Sequence, residues 1–299
     1  MPEIKRPDIS EFKNFVLLRA ISDKLLLSDI QLKEIQSNIL LVNGTNKLGQ
    51  KENFIFKKQR NRSPLLGDNT NNREALFYHV MADEVTFDLP RYFGRVNDFE
   101  VFSFLKKDEM EINTEQMLSP LEKLQRIGIA KQDKVMFAGE YRDKDKIIHF
   151  IDKLLIDIRR NPLLKPTADK ISENMDLFVQ AIDYLSQLPQ VFVHGDYWRN
   201  NLIVSNGRVY IIDWENCQIN NNYYDLTTLF YTEKIMFANE KFDPTINGHN
   251  DIRAMDYNFL LQTVSQIIPE LAGKKGSPHD WEKNWLDAFI DIMNKYGVK

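Results

Sequence analysis

The spacing of apolar and polar positions changes near residue 106. Before it, short runs with strand-like alternation dominate. Residues 9–21 open the chain as a predicted helix, with Phe12, Phe15, Val16, Leu18 and Ile21 near helical spacing. IQSNILLVN (35–43) and NFIFKK (53–58) read as strands, with a turn at Gly44 and Gly49 between them. The polar stretch 59–72 reads as a loop. REALFYHVMADEV (73–85) reads as a helix with Leu76, Phe77, Val80 and Met81 on one face, and LPRYFG and FEVFSFL (99–105) as strands. After Lys106 helical periodicity takes over, at 114–129, 145–160, 168–187 and 254–268, with Asn161-Pro162 closing one helix. Strands interrupt it at LPQVFVHGD, LIVSN and RVYIID, the last two joined by an Asn206-Gly207 hairpin turn. The pattern predicts an α+β chain, with a small strand-rich part at 1–105 and a larger helical part at 106–299.

Composition narrows the class. The 299 residues are 43% hydrophobic and 27% charged, ordinary values for a globular chain. A net charge of −4 gives no overall basic field for nucleic acid. The single cysteine, Cys217, excludes an intrachain disulfide and a Cys-rich zinc site, which suits a reducing compartment. No signal-peptide core and no apolar run of about 18 residues is present, so the expectation is a cytoplasmic protein without a membrane span.

The densest polar stretch is HGDYWRNNLIVSNGRVYIIDWE, His194 to Glu215. A hairpin returns the chain to its starting edge, so Asp213 should lie beside Asn201 and Asp196. A carboxylate and an amide oxygen are hard ligands suited to Mg²⁺. Asp196 is left to accept a hydroxyl proton. This is the order of a kinase catalytic loop and its metal-binding aspartate. Glu215 shares a face with Asp213 on an extended segment, as a second metal contact or as half of a salt bridge.

HGDYWRNNLIV…VYIIDWE resembles the aminoglycoside phosphotransferase / choline kinase family. Gly195 follows the motif histidine, the metal-site aspartate sits in I-D-W-E, and YYDL at 223–226 resembles a later family segment. The likeness spans most of 35–230 and is sharp at 191–226. It implies a bilobal protein-kinase-like fold, with a small β-rich N-lobe and a larger helical C-lobe. It implies Asp196 as catalytic base, Asn201 and Asp213 as Mg²⁺ ligands, His194 as the motif's structural histidine and Asp225 as a loop brace. The family's Pro-Gly before the motif asparagine is replaced by Arg199-Asn200, which puts the local loop shape in question. Arg199 is either an exposed charge or a phosphate contact.

A kinase-like N-lobe needs a strand lysine for phosphate and a helix glutamate to hold it. FIFKK supplies Lys57, with Lys58 as fallback, and REALFYHV supplies Glu74. GTN at 44–46 faintly resembles a phosphate-binding turn and reads equally as a plain hairpin. The backbone from Ser103 to Leu105 is expected to meet adenine. Beyond residue 215, Tyr223, Tyr224, Tyr231, Trp281 and Trp285 with Asp243, Asp251 and Asp256 suit a cationic acceptor, or are simply core aromatics and solvated acids. The expected function is Mg²⁺-assisted phosphate transfer from ATP or GTP to a small-molecule hydroxyl, aminoglycoside-, choline- or sugar-like. A nucleotide-binding pseudokinase is the alternative. A protein kinase lacks support, since D-F-G and A-P-E are absent.

Overall fold

The computed structural model describes residues 9–58, 73–129, 136–139, 143–239, 242, 251–274 and 279–297, with backbone only over 9–15. Helix α1 (Ile9–Leu25) precedes a five-stranded antiparallel sheet of order β1-β2-β3-β5-β4. The strands are β1 (Ser28–Gln36), β2 (Ile39–Thr45), β3 (Lys51–Lys58), β4 (Tyr92–Val96) and β5 (Phe99–Ser103). Val42, Phe54, Phe56, Val96 and Val101 form a small core with Ile21 of α1. Central β3 is covered on both faces, because Phe56 and its neighbour Lys57 are both buried.

The predicted strand at 35–43 is in fact a hairpin, with β1 before it and a turn at 37–38. β1 is almost wholly exposed, so it carries no apolar alternation to read. Gly44 lies inside β2, opposite Glu52, and only Gly49 occupies the turn. Helix α2 (Arg73–Val80) stops short of residue 85. The predicted loop at 59–72 lies outside the described residues.

The rest is mostly helical: α3 (Thr114–Gln125), α4 (Lys144–Ile158), α5 (Lys165–Glu173), α6 (Met175–Ser186), α7 (Tyr224–Met236), α8 (Ile252–Gln262), α9 (Ile268–Gly273) and α10 (Asp280–Tyr296). The predicted helix 168–187 is two helices broken at Asn174, whose backbone leaves helical geometry. A π-turn, Thr263–Ile267, joins α8 to α9. β6 (Gln190–Val193) pairs with β9 (Gln218–Asn221), and β7 (Leu202–Ser205) with β8 (Arg208–Ile211). Asn206 and Gly207 both take positive φ, 52° and 74°, as the two-residue turn requires. That turn is clasped from outside: the Asp108 carboxylate accepts the N–H groups of Asn206 (3.1 Å) and Gly207 (2.9 Å). Although α2 follows β3 in the chain, its Phe77 and Met81 belong to the larger core of the helical part. Among the described residues no helix is long and apolar enough to cross a membrane.

Candidate active site

Strand β3 delivers Lys57 and helix α2 delivers Glu74 to the same point. Lys57 Nζ lies 2.8 Å from Glu74 Oε2, in direct contact with Asp213 Oδ1, and 3.4 Å from Glu215 Oε2. Lys58 faces outward, exposed, so the choice between the two lysines falls on Lys57. Burial pulls the Lys57 ammonium down, but the charges of Glu74, Asp213 and Glu215 outweigh it and hold its pKa above the ordinary value. Burial pushes Glu74 up. The other Glu74 oxygen, Oε1, accepts the N–H of Trp214 at 3.1 Å. Asp213 itself sits in the left-handed region, φ 68° and ψ 58°, at the turn between β8 and Trp214. Such a backbone is uncommon away from glycine and costs energy that the surrounding contacts must offset.

The loop from His194 to Asn201 is held from beneath. Asp225, at the start of α7, accepts the N–H of His194 (2.6 Å) and of Gly195 (2.9 Å). Burial pushes the Asp225 carboxyl up to about 7, against the pull of those two N–H groups. Gly195 has φ +85°, and a Cβ there would lie 2.0 Å from the carbonyl of Asn216. Only glycine allows the chain to turn that close. His194 is fully buried, and Nε2 lies 2.8 Å from the Ile212 carbonyl while Nδ1 lies 3.2 Å from the Asp196 N–H. A carbonyl can only accept and an N–H only donate, so the proton is on Nε2. Burial lowers the His194 pKa to about 4, and the ring is neutral at ordinary pH.

Asn201 Nδ2 donates to the Asp196 carbonyl (2.7 Å) and to Asp196 Oδ2 (3.1 Å). The backbone of Asn201 accepts the Ile212 N–H at 3.0 Å, so the chain before Asp213 is bonded directly to Asn201. The fold therefore brings Asp196, Asn201, Asp213, Glu215, Lys57 and Glu74 into one neighbourhood. No trio of His, Cys, Asp or Glu side chains among the described residues forms a self-sufficient metal cage. The donor set nevertheless fits Mg²⁺. One lysine faces three carboxylates, leaving negative charge for a cation, and Mg²⁺ uses one or two carboxylates with substrate phosphates rather than a protein cage.

Residues 114–248, which span the His194–Asn201 loop, the hairpin and Asp213, match the model of the phosphotransferase enzyme family, APH. Solved structures extend the likeness in fold across the chain. An ADP-bound aminoglycoside phosphotransferase, APH(2'')-Ib, is 15% identical with a TM-score of 0.58, covering 92% of this chain and 98% of its own. Choline kinase LicA from Streptococcus pneumoniae is 17% identical with a TM-score of 0.58, covering 96% and 100%. A gentamicin complex of APH(2")-IIa is 14% identical with a TM-score of 0.58, covering 98% and 96%. At these identities the agreement is one of fold: a β-sheet N-terminal region and a helical C-terminal part, kinase-like. No curated protein sequence matches the chain.

Other expected positions turn out differently. The Asn46 side chain accepts the N–H groups of Leu48 (2.9 Å) and Gln50 (3.0 Å), and its carbonyl accepts that of Gly49 (2.9 Å). Those amides are already engaged, so this is a plain hairpin turn and not an open phosphate cradle. Ser103 gives its N–H to the Arg91 carbonyl (2.8 Å) and its hydroxyl accepts the Arg91 N–H (2.9 Å). The Ser103 N–H is therefore already engaged within the sheet. Arg199 is neither a free charge nor aimed at phosphate. It forms a two-point pair with buried Glu233, at 2.9 and 2.6 Å, and lies over the ring of Phe237.

Of the aromatics and acids considered for the acceptor, most are core. Tyr223, Tyr224, Tyr231 and Trp285 are buried. Asp256 accepts from Tyr231, Lys295 and Tyr296, and Asp251 accepts from Tyr184 while capping α8. Trp281 stands under Lys274, and Asp243 lies outside the described residues. Arg73 was not anticipated. Buried at the start of α2, it donates to the carbonyls of Cys217 (2.7 Å) and Ala138 (3.0 Å). Its place was the available signal, since an arginine opposes the positive end of a helix dipole and needs a reason to be there.

Proposed function

We propose that the chain moves the γ-phosphate of ATP or GTP to a hydroxyl of a small molecule, with the nucleotide between the sheet part (1–105) and the helical part (106–299). The observation that carries this reading is the joint placement of Lys57 on Glu74 and Asp213, one hydrogen-bonded hairpin away from the Asp196–Asn201 pair. In this reading Lys57, held by Glu74, steadies the donor phosphates. Asp196 orients the acceptor hydroxyl and takes its proton as the bond to phosphorus forms. Asn201 fixes the Asp196 carboxylate through its amide N–H and presents its oxygen on the other side. Asn201, Asp213 and Glu215 would hold Mg²⁺. When bound, the ion neutralises charge on the phosphate oxygens. His194 and Asp225 hold the loop and touch no reactant. Catalysis is then mostly positioning and charge stabilisation.

The engaged amides of the Asn46 turn are the observation that favours the second reading, a nucleotide-binding pseudokinase. One experiment separates the outcomes. Mg-ATP and Mg-GTP are titrated in a thermal-shift assay with wild type, Asp213→Asn and Asp196→Asn, followed by acceptor-dependent ADP release. The wild type should gain stability with nucleotide through mass action, and Asp213→Asn should lose that gain. Asp196→Asn should keep the gain and lose roughly 10²–10⁴-fold in turnover. Nucleotide binding with full turnover in Asp196→Asn would remove the base assignment. No shift with either nucleotide would remove the phosphotransferase reading.

A further inference from the structure

The catalytic loop alternates. Tyr197 is fully buried and donates its hydroxyl to the Met117 carbonyl at 2.6 Å. Asp196 before it and Trp198 after it are both part-exposed, and Trp198 has extended backbone angles, φ −150° and ψ 169°. Asp196 and Trp198 are thus the two part-exposed residues that flank buried Tyr197 in this loop. Its indole Nε1 is shielded from water and meets no acceptor atom. Indole is a donor only, and a buried donor without a partner costs about 1–3 kcal/mol. That cost is carried two residues from the reacting centre.

Three described carboxylates of the helical part that might instead attract a charged acceptor are engaged. Glu233, on α7 beside this loop, is matched by Arg199 at two points and by Asn239 at 3.0 Å. Asp256 and Asp251 are held by the tyrosines, the lysine and the helix N-terminus described above. An ammonium arriving at the loop finds none of these three available. An oxygen arriving there finds an N–H that needs an acceptor.

We propose that Trp198 is the acceptor-binding residue, donating its indole N–H to an oxygen of an uncharged, hydroxyl-rich molecule, a sugar or polyol, seated against Asp196. Because the ring as a whole is part-exposed, turning it toward the cleft uncovers the N–H without opening the core. The flat indole face then lies along the acceptor ring, and the adjoining hydroxyl reaches Asp196. This inference rests on the phosphotransferase reading and adds the acceptor class to it.

The test uses the full chain with Mg-ATP and three acceptor panels: neutral sugars and polyols, choline, and kanamycin. ADP release should depend on a member of the first panel. Trp198→Phe keeps an aromatic ring and removes the N–H. It should raise the KM for that acceptor about tenfold, the worth of one hydrogen bond, with the KM for ATP unchanged. Tryptophan emission should change on adding the acceptor to wild type and not to the variant, a readout that survives a loss of activity. Turnover with choline or kanamycin but no neutral compound, an unchanged acceptor KM in Trp198→Phe, or Mg-ATP binding with no active panel would each overturn the acceptor class alone. Absence of a Mg-ATP thermal shift in wild type would instead remove the reading beneath it.

Discussion

A histidine two residues before a proposed catalytic base invites a catalytic role, yet its surroundings give it a different one. The His194 ring is fully buried between the Ile212 carbonyl and the Asp196 N–H, and both contacts need the neutral form with its proton on Nε2. Burial lowers its pKa from 6.5 to about 4. Between those values the unfolded chain binds more protons than the folded one. This contribution is therefore present above pH 6.5 and is lost as pH falls toward 4, roughly 3 kcal/mol in all. Asp225 works in the opposite sense. Its carboxyl is pushed up to about 7 from 3.8, so in that window the folded chain holds the extra proton and stability falls as pH rises. The two partly cancel in wild type. Removing one should expose the other: His194→Gln should lose less melting temperature than wild type on going from pH 6.5 to 4.5. An equal loss in both proteins would show that His194 is not titrating as its burial dictates. Residue pairing also explains what the sequence leaves open. Lys57 and Glu74 could be matched because each sits on an element with readable spacing. The partner of Arg199 lies 34 residues away and those of Asp256 lie 25, 39 and 40 residues away, so nothing local announces them.

At the scale of elements, α2 is joined to the segment after Asp213 by unlike contacts that reinforce one another. Glu74 accepts the Trp214 N–H, Phe77 stacks on the Trp214 ring at 3.8 Å and 6°, and Arg73 grips the Cys217 carbonyl. The helix that positions Lys57 is thus fixed to the segment that carries Asp213 and Glu215. Arg73→Ala removes two hydrogen bonds from a buried charge, at about 3 kcal/mol or more, and should lower the melting temperature by roughly 6–10 °C. Hydrogen exchange should rise in α2 while β1 and β2 are unaffected. Uniform exchange across the sheet would mean that Arg73 supports the fold at large and not this junction. Elements that obey a simple period were legible: the β7–β8 hairpin, with its Asn206-Gly207 turn, is where the sequence places it. Elements covered on every side, or on none, were not. β9, Gln218–Asn221, is fully buried with polar side chains, α7 is buried nearly all round, and β1 is bare. In each, burial and polarity are decoupled, so period analysis has nothing to register. α10 is a separate case: Trp285, Phe289, Ile292 and Met293 do share a buried face at helical spacing, yet no helix is predicted there.

Across the whole molecule, the halves distinguished by their hydrophobic pattern meet at residues that neither half explains alone. Asp88 bridges to Tyr210 of β8 and pairs with Arg208 at 3.3 Å, and the core of the helical part reaches into α2. The same junction encloses Cys217, the chain's single thiol. It is fully buried, with Sγ 3.8 Å from the Arg73 carbonyl, and burial pushes its pKa well above that of a free cysteine. A thiolate is the reactive form, so in the closed protein this sulfur is inert twice over, by cover and by protonation. Its alkylation can proceed only while α2 is lifted from the turn after Asp213. The rate of labelling by iodoacetamide should therefore act as a clock for how often α2 and the Asp213 turn come apart, far slower than for a free thiol. Mg-ATP, which in the proposed reading bridges the two sides, should slow that clock further. Labelling at the rate of an exposed cysteine, or a rate indifferent to nucleotide, would mean that the junction opens without regard to what it is built to hold.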